Sequence, residues 1–427
     1  MPAPGITELI KPYEADDFND RGAAQYFHGR EEHRRKFARL LRGAARDAGN
    51  GTAILIQGPP GVGKTALLFK LEEDAEALGW RVVKIEPEAL KSPAGMAEAL
   101  GTAHIESRAK SHRADAKFLS ARQEKQIVGI QSVVGILRDQ LHRKDKIVLV
   151  LDEGQHLAEP SSDDAMASIR AALNSIINGS TRRKVVLLIG GLSHTWTELR
   201  KRGVSRLRRG CVGNLKRVAD DTANRIVHDW LVEIGCSPQH LETWQSVLVR
   251  ASDNWPQHIM CCVAGAIEHF VEHGDTPTEA AIQSVLDSAT KDKRAFYEER
   301  VDGLPTDDVA LLGMLVGACG FGEEFGTGEL IEVLRIRSRD GDVSAGISLE
   351  LMVAQGVLAN RRGGAYFVPV PTMERHLVAQ AIDHTVRTPV HARDLWEKVR
   401  ELILSKRGRV RGDVQKQLQE HFINVEV

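Results

Sequence analysis

The chain has 427 residues, of which 42% are hydrophobic and 27% are charged, and its formal net charge at pH 7 is −1. This composition is typical of a globular protein, and the length exceeds one ordinary core, so we expect two or three domains. The balanced charge excludes a uniformly basic or acidic molecule. Attraction for a charged partner therefore has to come from local clusters.

Several classes of protein are disfavoured at the outset. No apolar run approaches the roughly 18 residues that span a bilayer, and the opening, MPAPGITELIKPYEADD, lacks a basic-then-apolar signal pattern. The five cysteines form no C-x-x-C pair, and the 16 histidines have no zinc-ligand spacing. We expect a cytoplasmic protein with no membrane contact, no structural metal and no disulfide bond.

The first elements of the chain lead up to a short strand. Residues 1–25 carry two early prolines and an acidic patch, and we expect a tail there. The segment Phe27-His28-Gly29-Arg30-Glu31 follows, and a strongly charged helix is predicted as far as about Arg46. The apolar run AILIQ at 53–57 predicts a buried strand.

The octapeptide GPPGVGKT at 58–65 lies between this strand and an apolar helical pattern. Glycines at this spacing let backbone N–H groups surround a phosphate chain, and the N-terminus of the next helix adds its dipole. Lys64 brings a positive charge to the outer phosphates, and the Thr65 hydroxyl is a ligand for Mg²⁺. The sequence therefore predicts a nucleoside triphosphate site. Its predicted binding residues are Gly58, Pro59, Pro60, Gly61, Val62, Gly63, Lys64, Thr65 and Ala66.

Three further apolar runs predict strands at 81–85, 147–151 and 185–189, and residues 88–145 are mostly helical in pattern. The last two strands are apolar at every position, as in a parallel sheet covered by helices on both faces. We therefore predict an α/β fold, the doubly wound parallel sheet (αβα sandwich) of a P-loop NTPase. In such sheets the ligand lies at the carboxyl ends of the strands.

Acidic residues follow the third predicted strand. Asp152 is placed to hold Mg²⁺ beside the phosphate loop, and Glu153 is placed to orient or deprotonate the attacking water. After the fourth predicted strand come Ser193, His194 and Thr195, and one of these polar side chains can reach the γ-phosphate. Capping of the next helix is the alternative role for that side chain.

A basic segment at 199–209 offers an arginine that can neutralise charge in the transition state of phosphoryl transfer. The candidates are Arg200, Arg202 and Arg206. A solvated basic loop is the alternative interpretation of this segment.

The second half of the chain is mostly helical in pattern. From Asp220 to about Arg294 it predicts an all-helical lid with turns at Gly235 and Pro256. Helices are then predicted at 308–319, 328–334 and 344–354, followed by two strands around Gly363-Gly364, which is the order of a winged helix. The predicted domains are a tail (1–25), a nucleotide-binding core (26–218), a lid (219–300), a winged-helix domain (301–385) and a C-terminal helical and basic tail (386–427).

These elements, taken in order, resemble those of AAA+ P-loop ATPases, in the branch with origin-recognition initiators, transposition ATPases and STAND switches, and the chain looks like a bacterial-type member. The resemblance is carried by residues 27–31, by GPPGVGKT, by DEGQHL at 152–157 and by Gly203-Val204-Ser205-Arg206. It covers residues 26–300, and in the winged-helix region it rests only on the order of the predicted helices and strands.

The resemblance implies ATP and Mg²⁺ as cofactors. It places Phe27, Gly29 and Arg30 near the adenine, Ser193 or Thr195 as sensor, and Arg206 at the nucleotide of a neighbouring subunit. The usual lid arginine has no counterpart, and Gln257 and His258 stand in its region. The predicted catalytic residues are Lys64, Glu153, Ser193 and Arg206, and the predicted metal ligands are Thr65 and Asp152.

The leading functional hypothesis is an ATPase that self-associates when ATP is bound and acts as a nucleotide-gated assembly factor on duplex DNA or a protein partner. The predicted recognition helix, 344–354, is nearly uncharged, and only Arg361 and Arg362 flank the turn, so duplex binding there has a thin electrostatic basis. Two alternatives stay open. One is a STAND-like signalling switch that works by ATP/ADP exchange, and the other is a sequence-specific regulator whose fold ATP merely stabilises.

Overall fold

The computed structural model describes residues 26–46, 52–85, 145–158, 164–178, 184–204, 207, 211–337, 342–361 and 364–410. The predicted tail at 1–25, nearly all of the predicted helical region at 88–145, Arg206 and Arg362 lie outside these residues. The chain divides into two compact units, residues 1–277 and residues 278–427.

The first unit is built on a five-stranded parallel sheet in the order β2-β3-β4-β1-β5. The strands are β1 (Thr52–Gln57), β2 (Arg81–Ile85), β3 (Lys146–Leu151), β4 (Lys184–Gly191) and β5 (Val212–Asn214). Interior residues of β1, β3 and β4 are buried at successive positions, as expected of strands covered on both faces. The four predicted strands and the α/β fold class are confirmed, whereas β5 was not predicted.

Helices flank this sheet. They are α1 (Glu31–Arg46), α2 (Lys64–Ala77), α3 (Asp164–Ile177) and α4 (Thr195–Lys201). A buried cluster that includes Leu55, Leu149 and Leu187 joins strands β1, β2, β3 and β4 to residues of α3 and α4. The sheet is therefore fixed on a continuous apolar core, and its carboxyl edge carries the phosphate loop.

Three helices follow the sheet within the first unit. They are α5 (Asp220–Glu233), α6 (Pro238–Ser252) and α7 (Pro256–His273). The turns between them fall where Gly235 (φ 78°) and Pro256 predicted them. The helical character of the predicted lid is thus confirmed for these elements. Helix α8 (Glu279–Val301) begins just after the boundary and groups with the second unit.

The second unit is mostly helical. Its further helices are α9 (Thr306–Cys319), α10 (Thr327–Arg335), α11 (Asp342–Ala354), α12 (Pro371–Arg387) and α13 (Pro389–Arg407). Every residue from 308 to 318 in α9 is buried. The strands β6 (Phe325–Gly326), β7 (Ala359–Arg361) and β8 (Ala365–Phe367) form an antiparallel sheet in the order β6-β8-β7. Helices α9, α10 and α11 and then strands β7 and β8 follow in the predicted order, whereas β6 was not predicted. The winged-helix assignment itself stays a prediction.

Helix α13 occupies the start of the predicted C-terminal tail. It buries Leu395, Trp396, Val399 and Ile403 and packs against α9. These residues are therefore part of the second unit's core. Among the helices that the structure describes, none is both long and apolar enough to cross a membrane.

Candidate nucleotide-binding site

The order of the strands brings three loops together at the carboxyl edge of the sheet. The phosphate loop follows β1 and Asp152 follows β3, while β4 lies between these two strands. A side chain that links the loops after β1 and β3 must therefore pass the end of β4. This end of β4 is Gly190-Gly191.

The phosphate loop has the backbone geometry that its glycines predicted. Gly61 and Gly63 have φ values of 68° and 84°, in the left-handed region that side chains disfavour. Helix α2 then begins at Lys64, so its N-terminal N–H groups face the loop. The Lys64 ammonium is buried and donates to the Pro59 carbonyl at 3.1 Å.

The predicted metal ligands meet in the structure. The Thr65 hydroxyl donates to Asp152 Oδ2 at 3.1 Å, and the Glu153 N–H donates to Asp152 Oδ1 at 2.9 Å. Burial raises the pKa of Asp152 and the neighbouring Glu153 charge adds to this rise, whereas the bond from the Glu153 N–H, the Lys64 charge and the Thr65 hydroxyl oppose it. A hydroxyl and a carboxylate at this separation are the hard oxygen donors that Mg²⁺ prefers. Thr65 and Asp152 therefore fit the implied ion.

The end of β4 has no side chains where the Asp152 carboxylate lies. A Cβ atom on Gly190 would overlap Asp152 Oδ1 and lie 2.7 Å from Leu68 Cδ1. On Gly191 it would lie 2.5 Å from Thr195 Oγ1. Gly190, at the end of β4, is thus required by the position of the Asp152 carboxylate, and Gly191 by the close approach of Thr195.

Glu153 is held beside Asp152 in a distinctive conformation. Its φ of 50° is left-handed, which is uncommon for a residue with a long side chain. Gln155 donates from its amide to Glu153 Oε2, and its own oxygen accepts from the Leu192 N–H at 3.2 Å. Gln155 therefore connects the proposed water-activating carboxylate to the loop after β4, a role that sequence reasoning missed.

The residues after β4 differ in accessibility. Ser193 and His194 are partly exposed, and burial lowers the pKa of His194. Thr195 opens α4, is fully buried, and its hydroxyl has no hydrogen-bond partner among the described residues. Ser193 therefore retains the greater access of the two predicted sensors.

The N-terminal segment predicted near the adenine makes specific contacts within the first unit. Arg30 Nη2 donates to the Val62 carbonyl at 3.2 Å and to the Lys216 carbonyl at 2.6 Å. Burial lowers the pKa of Arg30 to about 10. Because Val62 belongs to the phosphate loop, Arg30 ties that loop to the chain after β5. Phe27, three positions before Arg30 in the sequence, is partly exposed.

The same segment contacts α5. His28 Nε2 lies 2.6 Å from Asp229 Oδ2, and Tyr26 packs on Trp230 with ring centroids 4.4 Å apart. A Cβ on Gly29 would meet Thr222 of the same helix at 2.9 Å. The segment thus joins the phosphate loop to the first helix of the predicted lid.

A second contact joins α7 to the phosphate loop. The Gln257 N–H donates to the Gly61 carbonyl at 3.0 Å, and Pro256 Cβ would lie 3.6 Å from a Cβ on Gly63. His258, the other predicted lid candidate, is fully buried. The predicted lid therefore meets the loop through backbone atoms at Gln257, and a search for a charged side chain could not find this contact.

Two of the three candidate finger arginines are described. Arg200 is exposed and its guanidinium lies 5.1 Å from the centroid of the Trp196 ring. Arg202 is also exposed. Arg206 lies outside the described residues, so its role stays a prediction.

Comparison with known proteins identifies this part of the chain. Residues 26–192 match the family described as "AAA ATPase domain". The chain carries an AAA ATPase domain. This domain contains the phosphate loop, Asp152, Glu153 and Gln155. A comparison with curated proteins gave no match.

Two solved structures are similar in fold to the AAA ATPase domain, and the similarity extends over much of the rest of the chain. The ORC2 protein of Aeropyrum pernix, solved as ADPNP-ADP complexes, is 14% identical, with 86% of this chain and 96% of that chain covered and a TM-score of 0.52. A Walker-type ATPase of Pyrococcus abyssi is 12% identical, with 81% and 95% covered and a TM-score of 0.54. At these identities the likeness shows the fold alone.

Proposed function

We propose that this protein binds and hydrolyses ATP with Mg²⁺ and acts as a nucleotide-gated, self-associating assembly factor on DNA or a DNA-associated partner. The contact between Thr65 Oγ1 and Asp152 Oδ2 carries this proposal, because it unites the phosphate loop with the acidic end of β3. The AAA ATPase domain supports nucleotide binding. The ORC2 protein of Aeropyrum pernix binds ADPNP and ADP, which supports an adenine nucleotide here.

The residues have distinct roles in the proposed reaction. Lys64 exchanges the Pro59 carbonyl for phosphate oxygens, and Thr65 and Asp152 hold Mg²⁺. Bound Mg²⁺ supplies positive charge to the phosphates. Glu153 orients and deprotonates the attacking water, with Gln155 fixing its carboxylate, and Ser193 senses the γ-phosphate.

Self-association is proposed to complete the site. Arg206 of one subunit supplies positive charge to the nucleotide of the next, which in such mechanisms changes the rate by about 10³–10⁵. ATP then favours the assembled form and hydrolysis releases it. The proposed location of this cycle is the cytoplasm.

The catalytic proposal is tested by Glu153→Gln. We expect unchanged Mg²⁺-dependent ATP binding by calorimetry and turnover lowered by about 10²–10⁴, with the assembled form persisting in size-exclusion chromatography. Lys64→Ala is the matched variant that should lose nucleotide binding itself. Full turnover by Glu153→Gln would remove this residue from its proposed role.

The shared interface is tested by mixing variants. Arg206→Ala and Lys64→Ala should each be inactive alone, and mixing them should restore part of the activity, because each subunit supplies what the other lacks. Arg217→Ala is a control, since Arg217 is exposed and faces Asp253 at 3.6 Å. Absence of any rescue would contradict a site shared between subunits.

A second candidate function, a slow signalling switch with a protein partner, is favoured by the surface of α11. This predicted recognition helix exposes Val343, Ile347 and Leu351, which recur every four residues and so share one face. An exposed apolar face is better suited to binding a protein than to binding the phosphate backbone of a nucleic acid. Tightly retained ADP after purification with very slow turnover would support the switch over the assembly factor.

A further inference from the structure

A groove of about 1220 Å³ lies between α1 and the C-terminal end of α2. Five arginines and two carboxylates line it, an excess of three positive charges. The floor is made of small or apolar residues, Ala38, Gly43, Ala77 and Leu78. This is a local basic cluster in a chain whose net charge is −1.

Four of the arginines form one line along α1. Arg35, Arg39, Arg42 and Arg46 follow one another at spacings of four, three and four residues, so they lie within roughly 60° of the helix circumference. All four are exposed. The buried residues Phe37, Leu41 and Ala44 lie on the opposite face of the helix. The line is about 16 Å long at 1.5 Å per residue.

The positive charge of this line is poorly compensated. Arg34, the fifth arginine, donates to both Asp74 oxygens at 2.8 Å, which occupies one groove carboxylate. Arg35 donates to the Glu31 carbonyl at 3.3 Å, and the Glu31 carboxylate lies at the N-terminal end of the line. Within the described part of the chain, Arg39, Arg42 and Arg46 have no ion-pair partner.

We propose that this groove binds the phosphate backbone of a nucleic acid. The inference rests on the proposed action on DNA and names a surface for that contact. Guanidinium groups bind phosphates through paired N–H donors, and a line of about 16 Å matches four to five phosphates at 3.4 Å of axial rise per strand. An acidic protein helix would need apolar pockets as well, and the groove floor offers only Leu78 as a large apolar side chain.

The groove is separate from the nucleotide site. Helix α2 begins at Lys64 in the phosphate loop and ends at Ala77 in the groove, about 20 Å away at 1.5 Å per residue. None of the groove arginines is among the predicted nucleotide ligands. We therefore expect this contact to form without ATP, so that it can be measured independently of hydrolysis.

The test compares the full chain with Arg39→Gln/Arg42→Gln and with a charge-matched control, Arg217→Gln/Arg250→Gln, whose arginines are exposed elsewhere in the first unit. Fluorescence anisotropy of a labelled duplex of about 25 base pairs, and of a single strand of equal length, is measured without nucleotide across a salt series. We expect the groove variant to bind at least tenfold more weakly at about 50 mM salt and its salt slope to fall by about two. The control should lose much less.

A second pair of variants changes the groove without removing an arginine. A side chain at Gly43 meets open space, so Gly43→Glu and Gly43→Gln should both fold, as circular dichroism would verify. Gly43→Glu should weaken nucleic-acid binding and Gly43→Gln should preserve it. If Gly43→Glu loses duplex binding and keeps single-strand binding, the groove binds duplex. The reverse result would show that it binds a single strand.

Other outcomes overturn the inference. Binding that is unchanged in Arg39→Gln/Arg42→Gln, or equally weak in the control, would place the contact elsewhere. If the wild type binds labelled polyglutamate through these arginines and binds neither nucleic acid, the groove takes an acidic protein segment instead. Lys64→Ala separates the two proposals, because it should abolish ATP binding and leave groove binding intact.

Discussion

Gly190 illustrates how a single atom is excluded from the site. Its neighbours on either side of the missing Cβ are Asp152 Oδ1 and Leu68 Cδ1, one from the acidic loop and one from α2. A methyl group there has to displace one of them. Because Leu68 is packed in the core and 1% exposed, the carboxylate is the group that moves.

Gly190→Ala is therefore expected to lower the free energy of unfolding by about 1–3 kcal/mol and to weaken Mg²⁺-dependent ATP hydrolysis. The matched control is Gly346→Ala, at an open position within α11, which should stabilise by about 0.5–1 kcal/mol. Denaturant unfolding and ATPase assays check both effects. A stabilised, fully active Gly190→Ala would contradict the crowding argument.

At the scale of elements, α7 meets the phosphate loop through its first turn. The bond from the Gln257 N–H to the Gly61 carbonyl does not depend on the glutamine side chain. The contact is therefore sensitive to the backbone of the helix start. Movement of α7 relative to the loop would break this bond.

We expect Gln257→Ala to leave nucleotide affinity nearly unchanged, whereas Gln257→Pro removes the N–H and should weaken ADP binding by about twofold to tenfold, the effect of one hydrogen bond. Proline is tolerated in a first helical turn, so the rest of α7 should persist. Calorimetric titration with ADP measures the difference, and circular dichroism reports helix content. Equal affinities in the two variants would show that the backbone bond does not matter.

The elements differ in how well the sequence predicted them. Strands such as 147–151 are continuous apolar runs with one reasonable interpretation, and β3 contains all of those residues. The three-residue β5 carries no such run, so it could not be recognised. Helix α13 lies in the predicted C-terminal helical and basic tail, and the prediction did not include its packing into a core, although Leu395, Val399 and Ile403 recur at helical spacing.

The site was predicted where its residues are local and missed where its bonds span the chain. GPPGVGKT and Asp152-Glu153 each sit at a strand end that the sequence reveals. The bonds of Arg30 with the Lys216 carbonyl and of Gln155 with the Leu192 N–H join residues that are 186 and 37 positions apart. Such pairs depend on strand order, which periodicity alone does not give.

On the scale of the whole molecule, the second unit has its own buried core. Helix α9 is buried throughout its interior and packs against α12 and α13. Two histidines of α12, His376 and His384, are also buried. Burial lowers the pKa of both, while nearby carboxylates, Glu298 and Asp307 respectively, act in the opposite direction.

We expect the segment 278–427 to unfold cooperatively on its own and to lose stability as the pH falls below about 6.5. The sign follows because the unfolded chain then takes up protons that the folded chain, with its lowered histidine pKa values, does not. The loss per histidine is at most about 1.4 kcal/mol per pH unit. Urea unfolding between about pH 7.5 and 5.5 measures it, and His376→Gln should flatten the profile.

A buried carboxyl group, that of Glu374, has the opposite effect on how the stability of the segment depends on pH. Burial raises the pKa of Glu374 despite the bond that it accepts from the Gly322 N–H. Its protonation therefore favours the folded state as the solution becomes more acidic. A wild-type profile that is no steeper than that of His376→Gln would contradict the histidine assignment.

The left-handed backbone conformation of Glu153 affects which residues can replace it in evolution. Holding a long side chain in that region costs about 1–3 kcal/mol, a strain that glycine would not carry. If Glu153 has the proposed catalytic role, a chain with glycine at position 153 would be more stable to heat and would no longer hydrolyse ATP. Selection for thermal stability would then favour glycine at position 153, and selection for ATP hydrolysis would favour glutamate.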